Sequence, residues 1–106
     1  MPPVNNVCYY KVDAKDEAAF QRLLEKHWPT LHTHGLSTDE PARVLRSETR
    51  DGKVVFIELF AWKDQSSIDV AHQSPDVMQV WEPMGALTKG DMEFWETTPV
   101  PMPFAK

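Results

Sequence analysis

The sequence predicts an α+β fold: one antiparallel sheet with both helices on a single face, in the order β-α-β-β-α-β. Three observations carry this expectation. Two stretches with helical spacing of apolar residues, Phe20 to Leu31 and Ile68 to Leu87, are each flanked by β-branched and aromatic runs. The dipeptide Asp51-Gly52 sits between two such runs and is a strong signal for a two-residue hairpin. Finally, the run Phe56-Ile57-Glu58-Leu59-Phe60-Ala61-Trp62 is apolar on both alternating faces, so that strand needs two covers.

The elements follow in order. Val7 to Val12 has strand composition. Asp13 or Asp16 can cap the first helix, whose stripe is Phe20, Leu23, Leu24, His27 and Leu31. Pro29 is expected to kink or interrupt it, and Gly35 to stop it. Ala42 to Thr49 and Val54 to Trp62 form the hairpin. Asp64 or Ser66 can cap a second helix bearing Ile68, Ala71 and His72, and Ser74-Pro75 predicts that it restarts. Val77, Val80 or Trp81, Met84 and Leu87 continue the stripe, Gly90 ends it, and Met92 to Thr97 makes the last strand. This is a ferredoxin-like domain over residues 1–98. A proline-rich arm over 99–106 carries Pro99, Pro101 and Pro103.

Composition narrows the function classes. The chain of 106 residues is 42% hydrophobic, enough for one core. A net charge of −5 with no basic cluster argues against nucleic-acid binding. No apolar run approaches the ~20 residues of a membrane span, and the N-terminus lacks the pattern of a signal peptide. The single cysteine, Cys8, cannot form an internal disulfide, which suits the cytoplasm. Cys8 reads first as a small core residue and second as a reactive thiol. His27, His32 and His34 lack metal-ligand spacing, and phosphate loops and nucleophile elbows are missing.

On the third strand, Val55, Ile57, Leu59 and Ala61 are expected to pack under the helices. Val54, Phe56, Glu58, Phe60 and Trp62 are then left on the open face. Such a face is too apolar for water, and a two-fold homodimer enclosing a pocket is the commonest cover. The other cover is the C-terminal arm. Glu58 among aromatic residues must be paired or protonated. It is either half of an ion pair with Arg46 or Arg43, or a proton acceptor. His72 borders the apolar stripe, as a proton shuttle or as a hydrogen-bonded seam residue.

With those residues in view, the chain resembles the antibiotic biosynthesis monooxygenase-like family of the dimeric α/β-barrel superfamily. The likeness rests on Phe56 to Asp64, followed by Ala71-His72-Gln73-Ser74-Pro75, and spans about residues 5 to 97. It implies a homodimer whose sheets enclose a pocket for a small apolar or aromatic molecule. It also implies oxidation of a phenol or quinol by molecular oxygen without a cofactor. On that analogy His72 or Glu58 is the base. Trp62 lines the substrate, and Phe56, Phe60, Trp81 and Arg46 complete the site. Haem-degrading relatives imply a rival reading, with haem held through an asparagine, a tryptophan and a histidine. Trp62 and His72 match two of these, but Cys8 or Tyr9 stands about where the asparagine belongs, while Asn5 and Asn6 come earlier. A non-catalytic binding dimer is a third.

Overall fold

The structure, a computed structural model, describes residues 2–104, so the last two residues of the expected arm lie outside it. The strands are β1 (Val4–Asp13), β2 (Arg43–Glu48), β3 (Lys53–Trp62) and β4 (Met92–Thr97). The helices are α1 (Glu17–Thr33), α2 (Gln65–His72) and α3 (Pro75–Thr88). The sheet order is β2-β3-β1-β4, antiparallel throughout. This is the predicted split arrangement, with β1 and β3 central.

Local chemistry explains the boundaries. Asp64 caps α2 by accepting from the Ser67 N–H, and Ser74 caps α3 by accepting from Val77, with Pro75 at the first helical position. Gly35 ends α1 with φ at 71°. Pro29 does not interrupt α1, which runs unbroken through it. The missing N–H falls on an exposed stretch of helix, where water can serve the freed carbonyl. The hairpin loop holds three residues rather than two. The Thr49 N–H donates to Lys53 O (2.9 Å) and the Gly52 N–H to Thr49 O (3.2 Å), with Gly52 in the left-handed region at φ 81°.

One expectation is reversed. Val54, Phe56, Glu58, Phe60 and Trp62 are the buried side of β3 and lie under the helices. They share that face with Asn6, Cys8, Tyr10 and Val12, their directly opposite partners on β1. Val55, Ile57, Leu59 and Ala61 are half-buried on the open face, beside Val7 and Tyr9. The physical reason is volume and partnership. Large aromatic residues fill the deep space beneath the helices, and α1 supplies His27 to the carboxylate that seemed out of place there. The open face is still apolar, with Leu45 51% and Trp95 44% exposed. The arm from Thr98 to Phe104 has no regular structure and leaves Val100, Met102 and Phe104 exposed.

Candidate functional site

Under the helices, four side chains from four elements form one hydrogen-bonded chain. Glu58 of β3 is 0% exposed. Its Oε1 accepts from the Tyr10 hydroxyl of β1 at 2.7 Å. His27 Nδ1 lies 2.8 Å from Oε1 and 3.0 Å from Oε2. The Trp81 indole of α3 donates Nε1–H to His27 Nε2 at 2.8 Å. An indole nitrogen can only donate, so Nε2 must be the bare nitrogen and Nδ1 carries the proton. His27 is thus a neutral imidazole donating to Glu58.

Both donors to the carboxylate are therefore neutral, and among the described residues Glu58 has no Lys or Arg partner. This corrects the expected pairing. Arg46 binds Glu17 through Nη2 (3.0 Å) and Nε, and Glu48 through Nη1 (3.2 Å), at the exposed end of α1. Arg43 points to the opposite sheet face. Burial, and then the Glu58 charge, push the Tyr10 phenol well above its ordinary range. The same two causes, in the same order, push the Cys8 thiol up. Tyr10 stays a donor, and Cys8 stays a thiol that accepts the Asn6 amide at 3.1 Å. Burial and proton retention both place Cys8 in the core rather than among reactive thiols.

Aromatic residues pack around this chain. His27 meets Phe60 edge-on at 5.7 Å, and Phe56 stacks on Phe20 at 5.6 Å. Trp81 lies against Trp62 at 6.4 Å and against His72 at 4.9 Å. His72 is exposed and donates its Nδ1–H to the Ile68 carbonyl at 2.8 Å. The structure brings Trp62, Trp81 and His72 together as one packed cluster. It does not bring His72 to Glu58, because Trp81 and His27 stand between them.

Open space lies elsewhere. A cleft of about 440 Å³ runs between α1 and the β2–β3 hairpin, lined among others by Leu24, Trp28, Val44, Arg46, Phe56 and Glu58. Its size suits a small aromatic molecule. A trough of about 340 Å³ crosses one end of the open face, by Asn5, Arg43, Leu59 and Thr97. Trp62, Trp81 and His72 line neither. The partners of Glu58 that sequence reasoning missed are Tyr10 and His27. The signal was present in His27, a polar residue in register with the buried stripe of α1, but its partner lies 31 residues away on another element.

Histidines 27, 32 and 34 each hydrogen-bond a different carboxylate, on Glu58, Asp39 and Asp76. No group of three or more His, Cys, Asp or Glu placed to hold a metal occurs among the described residues. Nor is any described helix long and apolar enough to cross a membrane. The Trp81 indole packs against both Trp62 and His72, the two residues that match the haem-degrading pattern.

No protein-family model matches the sequence, and no curated protein matches it at a significant level. Solved structures do. SnoaB, a cofactor-independent oxygenase from Streptomyces nogalater, is 16% identical, with 98% of this chain covering 100% of that one at a TM-score of 0.67. An antibiotic biosynthesis monooxygenase is 14% identical, covering 92% and 99% at 0.69. Rv0793 from Mycobacterium tuberculosis is 16% identical, covering 96% and 99% at 0.65. Across nearly its whole length, this chain has the fold of the antibiotic biosynthesis monooxygenase-like proteins.

Proposed function

We propose that this protein is a cofactor-independent monooxygenase acting on a small phenol or quinol, with Glu58 as the proton acceptor. One observation carries the reading: a fully buried carboxylate with no cation beside it, bordering an apolar cleft of about 440 Å³. Keeping such a charge costs several kcal/mol, and groups of this kind concentrate at functional sites. The cofactor-free activity of SnoaB, a fold neighbour, supports the class of reaction.

The chemistry balances without an external reductant. Glu58 removes the phenolic proton, and the electron-rich ring then reacts with oxygen at an ortho or para carbon that carries hydrogen to give a hydroperoxide. Elimination of that carbon's hydrogen with the outer oxygen, as water, leaves a quinone carbonyl. One oxygen atom enters the product and the other leaves as water. The protein's part is to desolvate, orient and take the proton. Phe56 and Leu24 supply the apolar walls, and Arg46 at the rim faces an oxygen of the substrate. Because Glu58 is shielded, entry requires β2 to move away from α1. As an exposed edge strand paired only with β3, β2 can move with less loss of pairing than the central strands.

A two-fold homodimer through the open sheet face completes the reading, since Val7, Ile57, Leu59, Leu45 and Trp95 form an apolar surface that needs a cover. The buried, unpaired Cys8 suits a reducing cytoplasm. His72 is the second candidate acceptor, through its Nε2. The packed state of Trp62, Trp81 and His72 favours one other reading, a non-catalytic binding dimer. Oxygen uptake with a panel of phenols and quinols tests all three. Glu58→Gln keeps the shape and, at Oε1, an acceptor for Tyr10 and His27, but it gives up the base and should slow turnover by about 10²–10⁴-fold. His72→Ala losing turnover while Glu58→Gln keeps it would move the base to His72. No uptake by the wild type across the panel would leave the binding dimer.

A further inference from the structure

The chain Tyr10–Glu58–His27–Trp81 ends in a donor on each side. At one end stands a phenol that holds its proton, and at the other an indole N–H that cannot accept one. A chain closed this way conducts no proton outward. We propose that Trp81 is a positioning residue: by occupying His27 Nε2, its indole N–H holds the ring in the neutral Nδ1–H form and leaves Glu58 a carboxylate with no cation beside it. Were Nε2 bare and open, His27 could take a second proton, and Glu58 would become half of a buried ion pair. A second N–H on His27 would face the Trp81 N–H at 2.8 Å, donor against donor, so that state is excluded while the indole stays in place.

Nothing else facing the pair replaces this control. From β1 come Cys8 and Tyr10, both kept protonated by burial and by the Glu58 charge. From β2 comes Arg46, engaged by Glu17 and Glu48. From α2 comes His72, which packs on the far side of the Trp81 ring with its Nδ1–H on Ile68. Among the described residues, Trp81 is the group hydrogen-bonded to His27 Nε2, the nitrogen that would take the second proton. The catalytic consequence rests on Glu58 being the base. The proton it takes from the substrate has no exit through the core, so it must return to the reacting oxygen that leaves as water.

The test is nitrogen NMR of the histidine rings in the full chain from about pH 5.5 to pH 8, the range in which histidine normally titrates. Wild-type His27 should show a protonated Nδ1 and a bare Nε2 throughout. Trp81→Phe removes the N–H and some volume. Replacing Trp81 by benzothienylalanine removes the N–H alone, and it carries the test if the phenylalanine variant does not fold. Either variant should let His27 take a second proton within that range. In activity, the acid limb of the pH profile should move to higher pH, because the His27–Glu58 pair can now bind a proton before substrate arrives. A purely structural Trp81 would lower activity without moving that limb. A protonated Nε2 in the folded wild type, or an isosteric variant whose His27 behaves as in wild type, overturns the proposal. Undiminished oxygen uptake by Glu58→Gln would remove Glu58 as the base, and with it the catalytic consequence, and leave the NMR result standing.

Discussion

Replacing His27 by Phe should be far more damaging than its size suggests, and a second substitution should partly repair it. The ring packing against Phe60 is retained. What is lost is the Nδ1–H donor to Glu58 and the acceptor for Trp81 Nε1–H. Stripping a buried carboxylate of one of its hydrogen-bond donors costs about 3–5 kcal/mol, because the charge left behind is under-compensated. Unfolding entropy of about 2.1 cal/mol/K per residue over 106 residues makes each 1 kcal/mol worth roughly 4–5 °C of Tm. The single variant also leaves the Trp81 N–H unpaired at about 1–3 kcal/mol, so it should melt about 18–36 °C lower. Adding Glu58→Leu removes the charge, leaving only the neutral Tyr10 and Trp81 donors unpaired at about 1–3 kcal/mol each. The double variant should then recover about 2 kcal/mol, or ~9 °C, relative to His27→Phe alone. The assay is thermal melting monitored by circular dichroism for wild type, both single variants and the double. A double variant less stable than His27→Phe would refute the reasoning, since it would show that Glu58 carries no uncompensated charge in the fold.

Other outcomes follow from the same structure. Because burial raises the Cys8 thiol and the Tyr10 phenol, the folded state holds protons that the unfolded chain releases. The unfolded state binds fewer protons above about pH 8.5 for cysteine and pH 10 for tyrosine, so stability must fall as pH rises, at ~1.4 kcal/mol per unit per group. Urea midpoints from pH 7 to 10.5 should fall with an onset that Cys8→Ala delays; an unchanged onset would rule out the cysteine's share. Leu59→Asp, on the open face, should convert the homodimer to monomer in light scattering without unfolding it, and a wild-type monomer would remove the proposed cover. Gly52→Ala, at φ 81° with open space around the position, should cost about 1–2 kcal/mol in chemical denaturation through backbone strain alone; an unchanged midpoint would show that the loop relaxes. A phenol or quinol bound at 100 times its Kd should raise stability by about 2.7 kcal/mol, read as a Tm shift of ~12 °C, and no shift across such ligands would favour a filled interior.

The order of elements was legible because each boundary is written in local chemistry. Ser74-Pro75 restarts a helix wherever it stands, and Asp51-Gly52 turns a chain regardless of what lies above it. Which face of β3 meets the helices was not legible, since both alternating sets are apolar and period-two patterning then loses its power to choose. The choice is made by distant residues. Tyr10 lies 48 positions from Glu58 and His27 lies 31 positions away. Their hydrogen bonds turn the strand's least plausible core residue into one the core can hold. A sequence reading that treats Glu58 as a misfit sends it to the open face, together with the aromatic residues that share its side of the strand.

That inversion changes what the two apolar faces are for. If the aromatic set had faced outward, the dimer interface and the ligand pocket would have been the same surface, and any interior site would have depended on assembly. With the aromatic set under the helices, Glu58, Tyr10, His27 and Trp81 all come from one chain. The smaller aliphatic set is left on the open face, where the proposed partner would cover it. The proposed chemistry then needs no residue from a second subunit. A Leu59→Asp monomer that stays folded should therefore keep the neutral Nδ1–H signature of His27. Loss of that signature on dissociation would mean that the partner holds β3 in register against α1, and that the buried carboxylate is a property of the dimer rather than of the fold.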